Sequence, residues 1–295
     1  MVHIPVLLDE VLEYLDPKPG QKFIDATIDG GGHSAAILGK IGPNGKVLGI
    51  EITPELFSAA KLKIENEKLK NLVVVNDSYV NLKKIAEENN FTGADGILFD
   101  LGMSSWHLDQ SGRGFSFQKD EILDMRFNSE TEFSALEIVN TFSENDLKQI
   151  ISEYGEERFA ESIAKKIVEA RKIKIIKTTL ELVEIIKNSV PVWYTNKRIN
   201  PATKTFQALR IRVNQELENI AKGLDGALEI LKKDGRAAVI SFHALEDRVV
   251  KNKFKDFKNK GLVEILTKKA VAPEYPDVKS NPRARSAKLR VFKKI

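Results

Sequence analysis

Lys22–Glu51 reads KFIDATIDGGGHSAAILGKIGPNGKVLGIE, and the order of residue types in this stretch decides the fold. Lys22–Thr27 is a short β-rich run, Gly30, Gly31 and Gly32 break it, His33–Ile41 has helical spacing, and Lys46–Ile52 is strand-like again. Strand, glycine turn, helix and strand make a βαβ unit. Gly30, Gly32 and Ala35 fit the loose pattern G-x-G-x-x-A. Glycine there lets the backbone turn sharply and approach a ligand, and the helix N-terminus offers unpaired N–H groups. Glu51 ends the second strand, where a carboxylate can accept both ribose hydroxyl protons. A tight turn beside a surface glutamate would use the same letters. The two features in one βαβ unit favour a nucleotide-like cofactor without separating NAD from S-adenosylmethionine.

Working outward, Pro54–Asn66 and Tyr79–Asn90 read as helices, and Leu72–Asn76 and Ala94–Asp100 as the third and fourth strands. Apolar strands alternating with helices predict a parallel sheet covered on both faces. Asp100 then falls at the carboxyl edge of the sheet, where open α/β folds bind ligands. Leu101–Asn128, rich in Gly, Ser, Asp and Phe, reads as an irregular loop. Ser134 with Glu137 and Ser143 with Asp146 have capping-box spacing, and Glu156–Ile173 and Thr178–Val190 are helical. Thr205–Lys232 reads as one helix, Gly235–Phe242 as a strand, Leu245–Asn259 as a helix, and Leu262–Thr267 and Leu289–Phe292 as strands. The prediction is an α/β domain formed by residues 1–105 and 215–295, interrupted by an all-helical insertion at 106–214.

The 295 residues are 42% hydrophobic and 30% charged and contain no cysteine, which excludes disulfides, thiolate nucleophiles and Cys-based metal sites. No apolar run approaches the ~20 residues that span a bilayer. With no signal-peptide layout at the N-terminus, a cytoplasmic protein without membrane association is expected. The net charge of +4 is uneven. Lys251–Ile295 carries fourteen Lys and Arg against four Asp and Glu, whereas the first 250 residues are net acidic. A basic tail suits a polyanion such as nucleic acid, and it also suits a solvated lysine surface. Of the four histidines, His33, His107 and His243 fall beside predicted strand ends. They lack any metal-ligand spacing, so no metal is expected.

His3–Glu10 (HIPVLLDE), Thr27–Ser34 (TIDGGGHS), Phe99–Ser105 (FDLGMSS), Gly112–Phe117 (GRGFSF), Leu123–Arg126 (LDMR), Tyr154–Phe159 (YGEERF), Thr203–Val213 (TKTFQALRIRV), Ile240–Arg248 (ISFHALEDR) and Asn281–Ser286 (NPRARS) follow one another in order. Together they resemble the RsmH (MraW) family of 16S ribosomal RNA methyltransferases across nearly the whole chain. The resemblance implies a class I, Rossmann-like, S-adenosylmethionine-dependent methyltransferase sheet with a helical RNA-recognition insertion. It implies methylation of the exocyclic N4 amine of a cytidine in the decoding (P-site) region of 16S rRNA. The cofactor contacts carried over by motif are Gly31, Gly32 and His33, then Glu51 on the ribose, Tyr79 against the adenine, and Asp100 and His107. The family usually has Asp where this chain has Glu51, and often Gln where it has His107. The implied partner is 16S rRNA or the small ribosomal subunit, and a homodimer stays open.

A cytosine amine is a poor nucleophile because its lone pair is delocalised into the ring. Acceptors for its protons and alignment with the sulfonium methyl would help it, and Asp100 with the carbonyls that follow is the candidate acceptor. A purely cofactor-binding Asp100 is an equal alternative. Trp106, Phe115 and Phe117 offer either a pocket wall or core anchors for their loop. Arg126, Lys197, Arg198, Lys204, Arg210 and Arg212, with His243 and the compact Arg283 and Arg285 hook, are candidates for RNA contact. Two rival readings use part of the same sequence: an NAD-dependent oxidoreductase, which leaves the basic segments unexplained, and a non-catalytic RNA-binding assembly factor, which leaves the glycine turn and Asp100 unexplained.

Overall fold

The computed structural model describes residues 5–196 and 200–295. His3 and Ile4 of the N-terminal motif, and the candidate cations Lys197 and Arg198, lie outside the described residues. The chain forms two compact units with boundaries at Gly102/Met103 and Glu216/Leu217.

In chain order the first unit contributes α1 (Leu8–Leu15), β1 (Lys22–Asp25), α2 (Gly32–Ile41), β2 (Lys46–Glu51), α3 (Pro54–Glu67), β3 (Leu72–Asn76), α4 (Leu82–Glu88) and β4 (Ala94–Asp100). The helical unit follows as α5 (Ser105–Asp109), α6 (Ala135–Thr141), α7 (Glu144–Gly155), α8 (Ala160–Arg171), α9 (Thr179–Lys187), α10 (Val192–Thr195) and α11 (Ala202–Asn214). The chain then returns through α12 (Glu216–Ile230), β5 (Leu231–Ser241), α13 (Ala244–Asn259), β6 (Val263–Ile265), α14 (Tyr275–Ser280) and β7 (Lys288–Lys294).

The sheet order is β3-β2-β1-β4-β5-β7-β6. The first five strands pair in parallel, and β7 runs antiparallel to both β5 and β6. Side chains alternate across the strands, so neighbours feed opposite faces. Ile24, Leu48, Ile97 and Phe99 join one core with Leu224 and Phe254. Phe23, Val47, Leu98 and Ile240 join another with Ile37 and Val291. Both faces are therefore dry, as the near-continuous apolar strands require. The parallel register brings the carboxyl ends of the central strands to one edge, with Asp25 opposite Leu98, Glu51 opposite Asn76 and Asp100 opposite Ile240.

The structure departs from the sequence-based expectation in several places. The single helix expected at Thr205–Lys232 is split where Gln215 adopts a left-handed conformation with φ of 50°. Strand β5 begins at Leu231, ahead of Gly235, and its register on β4 shifts between Ala94 and Gly96. The expected helix at Tyr79–Asn90 opens as a 3-10 turn over Tyr79–Asn81. The irregular stretch after Asp100 contains α5, and Phe115, Leu123 and Met125 anchor the remainder in the core of the helical unit. Both expected capping boxes form: Glu137 N–H donates to Ser134 Oγ at 3.3 Å and Asp146 N–H donates to Ser143 Oγ at 3.1 Å. Among the described residues no helix is long and apolar enough to cross a membrane.

In the helical unit α7 ends at Gly155 against the backbone of α11. A methyl group there would lie 2.7 Å from the Lys204 carbonyl oxygen, and backbone cannot yield as a side-chain tip can. Gly155→Ala should therefore destabilise the protein by about 1–3 kcal/mol in urea denaturation, despite alanine's better helix propensity. An unchanged midpoint would show that α7 and α11 separate freely.

Candidate active site

The site is built on the sheet edge of the first unit. Gly31 turns left-handed at φ 73° and opens α2, a conformation that costs a side-chain-bearing residue about 1 kcal/mol or more. Gly32 is needed for a different reason. A Cβ on it would come within 3.2 Å of the Pro5 ring, so the HIPVLLDE motif seats directly against the turn. Val6 from that motif also holds His33, whose Nε2 lies 3.0 Å from the Val6 carbonyl. With Nε2 so engaged, Nδ1 of the buried His33 faces Asp100 Oδ2 at 3.7 Å.

Glu51 is buried at the end of β2 and tied to two backbone amides. Its Oε1 accepts from Thr53 N–H at 2.8 Å and its Oε2 from Asp29 N–H at 3.1 Å. Each oxygen retains a further lone pair, enough for vicinal hydroxyls. Tyr79 stands just beyond β3, half-buried and edge-on to Phe99 at 5.6 Å, with Gly223 of α12 making room for its ring.

Asp100 ends β4. Its own amide donates to Thr27 Oγ1 at 2.7 Å, while its Oδ1 is buried without a hydrogen-bond partner. A buried carboxylate oxygen left unsatisfied is costly, and such an atom at a sheet edge marks a place where a ligand donates. Asp25, buried at the end of β1, accepts from Ser34 Oγ at 2.6 Å and was not singled out from the sequence. Its signal was available: a carboxylate inside the otherwise apolar run KFIDAT. Glu246 was missed as well. It is buried at the start of α13 and accepts from Phe242 N–H at 2.7 Å.

These acids crowd one another. Burial pushes Asp100 well above the usual carboxylate range, and Asp25, Asp29 and Glu246 push it further. Burial lifts Asp25 to about 6 and Glu51 to about 7, against the hydrogen bonds that favour their ionised forms. Such an edge suits a ligand that brings hydroxyls and positive charge. The observed Gly31 turn, the buried Glu51 and the orphan Asp100 Oδ1 all fit a cationic nucleoside cofactor.

The other expected site residues have structural engagements. His107 belongs to the helical unit, buried between Trp106, Phe115 and Phe127 with ring centroids 5.0 to 5.4 Å away. Its Nδ1 accepts from Ser104 N–H at 3.3 Å, closing the capping box of α5. Burial first, then Arg113 and Arg210, lowers its pKa to about 3 and keeps it neutral. A glutamine at this third helical position would close the same box. Phe115 is core, stacked on Phe127, and Phe117 packs edge-on to Phe206. His243 caps α13, with Glu246 N–H donating to its Nδ1 at 3.4 Å.

Among the candidate cations, Arg126 donates to Asp124 at 2.6 Å, and buried Arg210 makes a two-pronged pair with Glu216 at 2.7 and 2.9 Å. Arg210 is thus spent inside its own unit, a correction to its expected place on phosphate. Arg212 lies over the Phe142 ring at 5.8 Å. Lys204 donates to the Glu156 carbonyl at 2.7 Å. Arg283 and Arg285 are exposed on a 3-10 turn, either side of the buried Ala284.

A seven-stranded sheet in this order, with its antiparallel β7 between β5 and β6 and a nucleoside-type edge at β1, β2 and β4, defines a Rossmann-like methyltransferase fold. The dinucleotide oxidoreductases have their sixth strand parallel. All 295 residues match the MraW methylase family, and the chain belongs to it. It is 42% identical over 308 aligned positions to ribosomal RNA small subunit methyltransferase H of Clostridium botulinum (strain Loch Maree / Type A3), covering 99% of both chains. It is 45% identical over 293 positions to the protein of that name from Sulfurihydrogenibium sp. (strain YO3AOP1), again covering 99% of each. Among solved structures, an rRNA methylase from Streptococcus thermophilus aligns over 100% of this chain and 99% of its own, with a TM-score of 0.48 and 9% identity. Membership of a methylase family sets the oxidoreductase alternative aside.

The raised carboxylates have a consequence for stability. Between their unfolded and folded pKa values the folded chain holds protons that the unfolded chain has released, so stability falls as pH rises. The melting temperature of the ligand-free protein should therefore drop between about pH 4 and about pH 7, the window that runs from the ordinary carboxylate values of 3.8 and 4.5 up to Asp25 at about 6 and Glu51 at about 7. Asp25→Asn and Glu51→Gln together should flatten that slope. A slope unaffected by both substitutions would mean that neither acid is held protonated.

Proposed function

We propose that this protein transfers a methyl group from S-adenosyl-L-methionine to the N4 amine of a cytidine in the decoding (P-site) region of 16S rRNA. The substrate is 16S rRNA or the small ribosomal subunit, and the reaction belongs to the cytoplasm. The observation that carries this reading is the buried, unpartnered Asp100 Oδ1 among other acids at the end of β4. The names of the relatives at 42% and 45% identity support the ribosomal substrate.

Gly31, Gly32, His33, Glu51, Tyr79 and Asp100 are the proposed cofactor residues. His107, committed to its helix cap and aromatic neighbours, is left out of that set. When bound, the cofactor supplies an electrophilic methyl on a sulfonium. Glu51 accepts from ribose hydroxyls with its remaining lone pairs. The acids at the edge lose their protons as positive charge arrives, because the opposite charge offsets their burial. Ionised Asp100 then accepts an N–H of the target amine and steadies it as its nitrogen becomes positive. One proton passes from that nitrogen to solvent after the transfer, so no strong base is required before it. On the RNA side, Lys204, Arg283 and Arg285 are the proposed phosphate contacts. Arg126 and Arg210 support the helical unit, and His243 supports the start of α13.

Incubating 16S rRNA and small subunits with labelled cofactor, followed by nucleoside mass spectrometry, tests the proposal. N4-methylcytidine should appear at one site, and label found on another base or on none would reject it.

Asp100→Asn keeps the shape and one acceptor oxygen and removes the charge. Single-turnover methyl transfer should fall by about tenfold to a thousandfold, with a much smaller change in cofactor affinity. A rate restored by saturating cofactor would assign Asp100 to cofactor binding alone. Reversing Arg283 and Arg285 to Glu should weaken RNA binding and lower the log–log salt slope by about one unit per lost contact, leaving cofactor affinity in place. An unaltered slope would put the NPRARS turn away from RNA.

A further inference from the structure

The helical unit carries an aromatic platform whose exposed ring, Trp193, lies outside every motif above. Trp193 on α10 is 50% exposed and its neighbour Val192 is 75% exposed. Isolated exposed apolar side chains are ordinary. This one has a built support. Tyr194 is buried beneath it and donates to Glu157 Oε2 at 2.6 Å, while Glu157 Oε1 accepts from Phe159 N–H at 2.9 Å. Trp193 stands edge-on to Tyr194 at 5.7 Å and to Phe159 at 6.0 Å. The exposed Arg158 guanidinium lies over both Phe159, at 4.8 Å, and Trp193, at 5.1 Å. Lys204 is anchored two residues from Arg158 through the Glu156 carbonyl.

The chemistry of the surface selects an occupant. Thr195–Arg212 has five basic residues and no acid, and two of those cations, Arg210 and Arg212, are engaged within the unit. Lys197 and Arg198 follow Trp193 in sequence, and Lys204 is held on the Glu156 carbonyl, two residues before Arg158. An indole supported from beneath and lying beside the Arg158 guanidinium matches an unpaired base and its phosphate.

We propose that Trp193 and Arg158, with Lys204, form a contact for single-stranded RNA, one base lying on the indole and the cations meeting the backbone. The inference rests on the RNA-modifying function proposed above and adds a recognition surface to it. The test uses the full chain and a short labelled single-stranded RNA of the substrate sequence. Trp193→Ala should weaken RNA binding by about tenfold to a hundredfold, Trp193→Phe should recover most of it, and Arg158→Gln should lower the salt slope by about 0.7. Methyl transfer by Trp193→Ala should show a raised KM for RNA with kcat and cofactor affinity little changed. The chain has two tryptophans, so in a Trp106→Phe background RNA should shield Trp193 fluorescence from iodide. If the wild-type chain binds and methylates RNA while Trp193→Ala binds equally well, or Trp193 stays open to iodide in the complex, this inference fails and the function stands. Shielding that appears only with intact small subunits would assign the face to a ribosomal protein instead. A wild-type chain that binds no RNA would reject the function itself.

Discussion

The crowding of carboxylates at one edge of the sheet is the constraint on which the rest of the first unit depends. Asp25, Glu51 and Asp100 end three adjacent parallel strands; Asp25 and Glu51 are buried, and Asp100 is partly buried with its Oδ1 shut off from water. Buried acids of one sign oppose one another and resist ionisation. The surrounding chain is arranged around that cost. Backbone amides of Asp29 and Thr53 bind Glu51, and the Ser34 hydroxyl binds Asp25. His33 is held by Val6 with its second ring nitrogen toward Asp100. The left-handed turn at Gly31 and the bare Gly32 under Pro5 let these groups come together. The charges that raise Asp100 are those of Asp25, Asp29 and Glu246, all negative, and a sulfonium and an amine acquiring charge would both bring the opposite sign.

The helical unit solves a different problem with its charges. Arg126 and Arg210 are consumed by Asp124 and Glu216, and Arg171 donates to the Val139 and Phe142 carbonyls at 2.7 and 2.6 Å. Arginine suits such places because its planar fork satisfies several acceptors at once. A basic composition therefore overstates the charge available to a polyanion. Exposed Arg158, by contrast, keeps its guanidinium over Phe159 and Trp193.

Much of this was legible in the letters. Short apolar runs separated by helical spacing placed the parallel strands, and the glycine cluster with Glu51 pointed to the sheet edge where the buried acids gather. Ser–Glu and Ser–Asp spacing located the starts of α6 and α7. What stayed hidden depends on the third dimension. Gln215 takes a left-handed conformation that no residue preference announces, so two helices read as one. Whether Phe115 lines a pocket or fills a core is settled by its stacking on Phe127. Arg210 and Arg283 look alike in sequence, and only burial separates a structural ion pair from an exposed cation. His107 resembles a site residue because it follows β4, and its hydrogen bond to Ser104 reveals a helix cap. The exposure of Trp193 has no sequence signature at all.

The central claim is that this acid-lined edge is completed by positive charge. Calorimetric titration near pH 6.5, in buffers of different ionisation enthalpy, tests it directly by counting protons exchanged on binding. S-adenosylmethionine carries a sulfonium, and S-adenosylhomocysteine has a neutral thioether in its place. The account predicts that the sulfonium ligand releases about one proton from the protein and that the thioether ligand releases measurably fewer. Equal proton release with both ligands, or none with either, would contradict it.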